Sequence, residues 1–396
     1  GAPPVSLLRD RNLHVIFGVT LMAVLGVSSI APALPKVARA LDLSPQQVGL
    51  LVTVFTLPGV LLTPIAGVLA DRLGRRRILI PSLWIFALAG AACAGARTAD
   101  QLILLRTIQG VGAAALGSLN ITVLGDLYDG KRRAAAMGYN ASVLSIGTAS
   151  YPLIGGGLAE LDWRWPFLLP LLAVPVALAV QLRLRYRPPA GDPSLRAYLG
   201  KAGRSLRRRE VGGLFTVSVL TFVLLYGSLL TYFPLLMDRR FGMSPGQIGI
   251  FLTASSAATA LVASQLGRLS ARFGEGRLIR AAFVLYALAM LLIPLLDSPW
   301  AMLLPAACFG IGMGLNVPSL LTLISGLAPP NLRAVFMSLN GTVLRLGQTL
   351  GPLAGGLAFG LGGIAAPFYG GAVVALAALT LIVKTVPDRN EGPDGA

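Results

Sequence analysis

Apolar runs about twenty residues long recur from one end of the chain to the other. A helical run of that length crosses about 30 Å of hydrocarbon, and this limits the fold more than any motif does. Twelve such runs are read, at 13–35, 46–70, 78–96, 101–125, 135–158, 165–184, 211–237, 245–268, 278–296, 300–326, 334–360 and 365–385. The expected fold class is an all-α membrane protein with twelve transmembrane helices. A transmembrane β-barrel would instead show short alternating segments. Only 12% of residues are charged, about half the share usual in soluble domains. The 47 Gly and 27 Pro suit membrane helices, whose neighbours satisfy freed backbone groups and whose small residues allow close approach.

The net charge of +17 invites a nucleic-acid reading, but the cations sit between the apolar runs, where they act as topology signals. One set of loops holds most of the 33 Lys and Arg, while the opposite set holds Lys36, Arg39, Arg97, Arg164, Arg239 and Arg240. That asymmetry places both termini and the central linker in the cytoplasm of a bacterial inner membrane. The linker, LRAYLGKAGRSLRRRE, reads as a basic segment lying on anionic lipid. The expected domains are an N-terminal bundle (1–184), the linker (185–210) and a C-terminal bundle (211–396). Cys93 and Cys308 both fall within apolar runs, so no disulfide framework is expected. No cleavable signal peptide is read at the start, and neither a metal site nor a cofactor is expected.

The two halves repeat at an offset of 200 residues. LSPQQVGLLVT at 43–53 matches MSPGQIGIFLT at 243–253, and GVLADRLGRRR at 67–77 matches GRLSARFGEGR at 267–277. RAAAMGYNASVLSIGTASYPLIGG at 133–156 matches RAVFMSLNGTVLRLGQTLGPLAGG at 333–356, pairing Asn140 with Asn340, Gly147 with Gly347 and Pro152 with Pro352. Chance does not hold one register through three segments. Two parallel six-helix bundles related by pseudo-symmetry are expected, with a substrate site near the midplane.

GVLADRLGRRR at 67–77 resembles the cytoplasmic loop motif of the major facilitator superfamily. LLRTIQGVGAAALG at 104–117 resembles the fourth-helix motif of its drug/proton antiporters. GTASYPLIGG at 147–156 resembles their fifth-helix motif, with GQTLGPLAGG at 347–356 as its echo. The resemblance covers the whole chain and implies the major facilitator fold. It further implies that Asp71 meets the start of span eleven, and that Arg75 pairs with Asp126 at the end of span four. Together these would lock the outward-facing state and release in the inward-facing one. It gives Arg106 a role in proton-linked switching. It makes Gly67, Gly147, Pro152, Gly347, Gly351 and Pro352 helix-packing positions. Tyr151 departs from the motif, which has Gly there.

Polar groups inside spans are the candidate site residues. With Arg106 at zero and about 100° per residue, Gln109 and Asn120 fall within roughly 60° of it, whereas Asp126 faces away. That stripe is expected to line a cavity. Arg345 lies about 16 Å into span eleven, matches Ser145 in the first half, and shares a face with Thr342, Gln348 and Thr349. It is expected to reach a wet cavity or an anion. Asn316, Tyr226 and Tyr232 are further candidate substrate contacts. All sixteen acids fall in loops or at span ends, so proton coupling is expected to run through Asp71 or Asp126. The expected function is secondary transport by alternating access: proton-coupled efflux of drug-like or amphipathic molecules by a monomer. The alternative is an anionic or lipid-like cargo held by Arg345. An intramembrane enzyme would need clustered catalytic groups that the spans lack, and a channel would need repeated polar rings.

Overall fold

A computed structural model describes residues 7–184, 209–327 and 333–385, without the side chains of residues 71, 333–335, 337 and 338. The linker expected at 185–210 lies almost wholly outside the described residues. The described residues form twelve long helical segments. They are α1 (Arg11–Ala40), α2 (Pro45–Leu73), α3 (Arg75–Gly95), α4 (Ala99–Leu127), α5 (Gly130–Leu161) and α6 (Trp165–Arg183). Then come α7 (Arg209–Phe241), α8 (Pro245–Ser264), α9 (Glu275–Leu295), α10 (Trp300–Leu327), α11 (Arg333–Gly362) and α12 (Ala366–Thr385). By apolarity and length, ten segments qualify as spans. The one at Leu339–Thr385 contains two helices, broken at Gly363–Ala365. The remaining helix, α5, is a 32-residue helix rich in Gly and Ala, which lowers its apolarity. Twelve helices therefore stand where twelve runs were read.

Local chemistry sets the ends. Ser44 and Gln47 form a reciprocal capping box that starts α2. Thr98 caps α4, and Asp10 caps α1 through the Asn12 amide. Lys36 donates to the Ala159 and Glu160 carbonyls at 2.7 and 2.9 Å, placing a cation at the negative end of α5.

The chain forms two compact units, one drawn from Gly1–Tyr198 and Ser244–Gly249, the other from Leu199–Met243 and Ile250–Ala396. The repeat governs packing inside each. A Cβ on Gly110 would lie 2.2 Å from the Phe55 carbonyl, and one on Gly310 would lie 2.1 Å from the Ser255 carbonyl. Gly112 presses on Ser82 and Phe86, and Gly312 on Ala282 and Tyr286. Each pair is offset by 200. Thr63 donates to Ala114 O at 2.8 Å, and Thr259 to Gly310 O at 2.9 Å, fixing α2 to α4 and α8 to α10 alike. At Gly110, Gly112 and Gly310 the crossing depends on glycine because backbone occupies the space a Cβ would need, while at Gly312 the Tyr286 ring lies there at 2.7 Å.

Gly147 and Gly347 also work within their own units, against Leu21 on α1 and Val219 O on α7. Gly351 lies against Val223 O. Pro152 and Pro352 are buried inside α5 and α11. Among the described residues nothing lies within 4 Å of where a Gly67 Cβ would be.

Candidate functional site

The polar stripe on α4 exists, but it points into the packed centre of the first unit. Arg106 is completely buried, and Gln109 and Asn120 are nearly so. The guanidinium donates to Gly26 O on α1 at 2.9 Å and to Gln109 Oε1 at 2.8 Å. It lies 4.2 Å over the Phe55 ring of α2. Three helices thus share one cation, through carbonyls and an aromatic face rather than through an acid. One guanidinium nitrogen remains buried without a partner. At the matching place in the second unit stand Ala306 and Ser255, so the same α-helical crossing is built there without charge.

Asn120 is likewise committed to packing. Its Nδ2 donates to Thr20 Oγ1 at 2.8 Å, and that hydroxyl donates on to Asn140 Oδ1 at 2.6 Å. The relay ties α4 to α1 and α5. The second unit has related bonds: Asn316 donates to Thr221 at 2.7 Å and to Tyr286 at 3.3 Å, and Ser218 donates to Asn340 at 3.3 Å. Asn316 is completely buried. Gln109, Asn120 and Asn316 are expected as substrate contacts; in the structure each bonds inside its own bundle, although Asn316 Oδ1 is buried without a partner among the described residues. Sequence reasoning missed Thr20, Phe55 and Tyr286. Asn140 and Asn340 carried a usable signal, because they occupy the same column of the repeat.

Arg345 differs. It sits about 18 Å along α11 at 1.5 Å per residue and is half-buried. It donates to Gln348 at 3.2 Å, one turn on the same helix. Thr349 donates back to the Arg345 carbonyl at 2.8 Å. Ser145, its first-unit counterpart, simply bonds its own helix at 3.0 Å. Against α11 packs α7, whose residues Leu224–Tyr232 form a π-helical stretch. A Cβ on Gly227 in that stretch would lie 2.6 Å from Gly351 O, so the backbones nearly touch. Such bulges often mark functional segments. Tyr226, within the stretch, is half-buried, with its ring 6.3 Å from Phe222. Tyr232 is completely buried, stacks on Phe359 and fills the space left by Gly355, so it serves packing.

At the basic end of the first unit, Arg75 Nε lies 2.8 Å from Asp126 Oδ2, with side-chain exposures of 7% and 22%. The pair joins the start of α3 to the end of α4. Next to it, Tyr128 donates to Asp10 Oδ2 at 2.8 Å. Burial, then the bond to the Asp10 carboxylate, pushes the Tyr128 phenol up, so it stays a neutral donor. The Asp71 side chain lies outside the described residues. Tyr151 is buried and lies over Gly147 on its own helix.

A duplicated six-helix bundle with buried polar stripes and sparse charge defines a polytopic membrane transporter. The chain belongs to the Major Facilitator Superfamily, which it matches over residues 16–244 and again over 218–396. It is 26% identical to Multidrug resistance protein 1 of Bacillus subtilis (strain 168), covering 95% of this chain and 96% of that protein. It is 24% identical to Quinolone resistance protein NorA of Staphylococcus aureus (strain MRSA252), covering 94% and 96%. Among solved structures, the nucleoside transporter NupG superposes with a TM-score of 0.75 at 15% identity, covering 94% of this chain and 98% of that one. The human organic anion transporter MFSD10 superposes with a TM-score of 0.69 at 22% identity, covering 96% and 100%. Both share the fold.

Proposed function

We propose that this protein is a secondary active exporter of amphipathic, drug-like molecules. It would work by alternating access as a monomer in a bacterial cytoplasmic membrane, with both termini cytoplasmic and protons as the coupling ion. The chief support is its likeness, along nearly the whole chain, to Multidrug resistance protein 1 of Bacillus subtilis (strain 168). The interior chemistry agrees with this. Every acid among the described residues lies in a loop or near a helix end, so cargo recognition would rely on apolar and aromatic surface with few directed polar groups.

Coupling then falls to the basic end of the first unit. Asp126 is partly exposed and held by Arg75. Protonating its carboxylate would cancel the charge that attracts the guanidinium and release the start of α3 from the end of α4. Asp71, on the same loop motif, is the second carboxylate assigned to this lock. Arg106, which binds α1, α2 and α4 together, would transmit the release into the bundle.

A second reading has one observation in its favour. Arg345 is a half-buried cation at mid-helix, held by Gln348, which suits an anionic or polar-headed cargo. Transport of a lipophilic cation and of an amphipathic anion by reconstituted vesicles separates the two readings. The first predicts movement of the cation with little effect of Arg345→Ser. The second predicts movement of the anion, lost in Arg345→Ser.

A further inference from the structure

The start of α1 and the end of α6 flank an open pocket of about 290 Å³, lined by Arg11, His14, Val15, Ala179 and Arg183. Three of its five walls are basic side chains and the other two are aliphatic. The space holds roughly ten water volumes at about 30 Å³ each.

Among the described residues, neither Arg11 nor Arg183 has a hydrogen bond or ion pair. The C-terminal end of α6 already has its cation, since Arg76 donates to the Gln181 carbonyl, so Arg183 is not needed there. Asp10 is the neighbouring acid, and both its oxygens are occupied, by the Asn12 amide and the Tyr128 hydroxyl. The His14 ring is held in place, with Nδ1 donating to Asp10 O at 2.9 Å and its edge against Phe17. The pocket thus has one ring held in place and, among the described residues, two guanidinium forks without a bond.

Its position selects the ligand. On α6, Leu178 and Leu182 are 43% and 80% exposed, an apolar strip of the kind that meets acyl chains. The cavity lies at the end of that strip, where apolar surface gives way to basic surface. This is the level of lipid headgroups. A guanidinium fork matches two phosphate oxygens better than a point charge does.

We propose that this cavity binds the phosphodiester headgroup of an anionic phospholipid. Arg11 and Arg183 would fork onto the phosphate while an acyl chain runs along Leu178 and Leu182. The lipid would then bridge α1 to α6.

The test is ligand binding by the full-length chain in detergent, read by native mass spectrometry and by thermal unfolding. The probes are short-chain phosphatidylglycerol, short-chain phosphatidylcholine and inorganic phosphate. Phosphatidylglycerol should bind and raise the unfolding temperature with concentration, while the other two should not. Each of Arg11→Gln and Arg183→Gln should weaken phosphatidylglycerol about fivefold, and the double variant about twenty-five-fold. If the double variant does not purify, the single variants decide. Arg77→Gln, an exposed cation outside the cavity, should leave the affinity unchanged. Unaltered binding in the Gln variants would overturn the proposal. So would an equal loss in Arg77→Gln, which would mean diffuse surface attraction. Stabilisation by inorganic phosphate as strong as by the lipid would make this a soluble-anion site and likewise overturn it.

Discussion

Arg106→Met separates stability from switching. The change removes a completely buried guanidinium, its bonds to Gly26 O and Gln109 Oε1, and its contact with the Phe55 ring. The two short charge-assisted hydrogen bonds are worth about 1.5–3 kcal/mol each, a long one from Nε to Leu51 O at 3.4 Å adds little, and a desolvated cation–π contact is worth about 2 kcal/mol, so the gross loss is about 5–8 kcal/mol. Burying a cation carries an opposing penalty of several kcal/mol, and here one guanidinium nitrogen finds no partner. Methionine fills a similar volume without that penalty. The second unit makes the same helix crossing with Ala306 and Ser255, which shows that the architecture does not need the charge. The net change should therefore be within about 2 kcal/mol, a shift of a few degrees in unfolding temperature. Transport should fall at least about tenfold, because three helices lose their common tie; that factor corresponds to about 1.4 kcal/mol on the barrier. Thermal unfolding in detergent and transport in vesicles measure the two effects on one preparation. Collapse of the fold would refute the cancellation, and undiminished transport by a stable variant would refute the switching role.

Gly110→Ala should be strongly destabilising, by about 3 kcal/mol or more, because its Cβ would lie 2.2 Å from the Phe55 carbonyl. Gly67→Ala, which meets open space, should leave unfolding unchanged on the same thermal assay. Thr20→Val strands the Asn120 and Asn140 amides and should cost about 1–3 kcal/mol, read as a lower unfolding temperature. Arg345→Ser should unfold like the wild type but bind polar-headed or anionic cargo more weakly, with Arg345→Lys recovering only part of that affinity in a ligand-induced thermal-shift titration. Asp126→Asn mimics the protonated lock, so labels on the loops after α2 and α4 should show a broader distance distribution; an unchanged distribution with normal transport would remove the lock.

Much of this fold is visible in the sequence because membrane spans obey a simple length rule and the repeat is nearly gap-free. The offset of 200 that pairs Asn140 with Asn340 also governs backbone contacts at Gly110 and Gly310, which no motif suggested. The Arg75–Asp126 pair was expected from resemblance and is present at 2.8 Å. The α4 stripe shows what a helical wheel can give. It fixed which face Arg106, Gln109 and Asn120 share, but not what lies opposite. Whether a face meets water, lipid or another helix depends on neighbours distant in sequence, here Gly26, Phe55 and Thr20. Single hydroxyls and rings among so many apolar residues carry no local mark. Gly67 shows the same limit, since glycine in a motif does not specify which backbone approaches it, and no described atom lies within 4 Å of its Cβ position. Arg345 stood out because Ser145 occupies its repeat position, so a difference between halves was informative where composition was not.

The central claim, proton-driven export, is tested most directly in vesicles reconstituted with the purified chain and given a defined pH gradient. A lipophilic fluorescent cation is added, and its accumulation is followed as the gradient is imposed and then collapsed with an ionophore. The account predicts gradient-dependent accumulation that stops on collapse and is lost in the Asp71→Asn/Asp126→Asn double variant. Accumulation that ignores the gradient, or that persists with full pH dependence in the double variant, would contradict it.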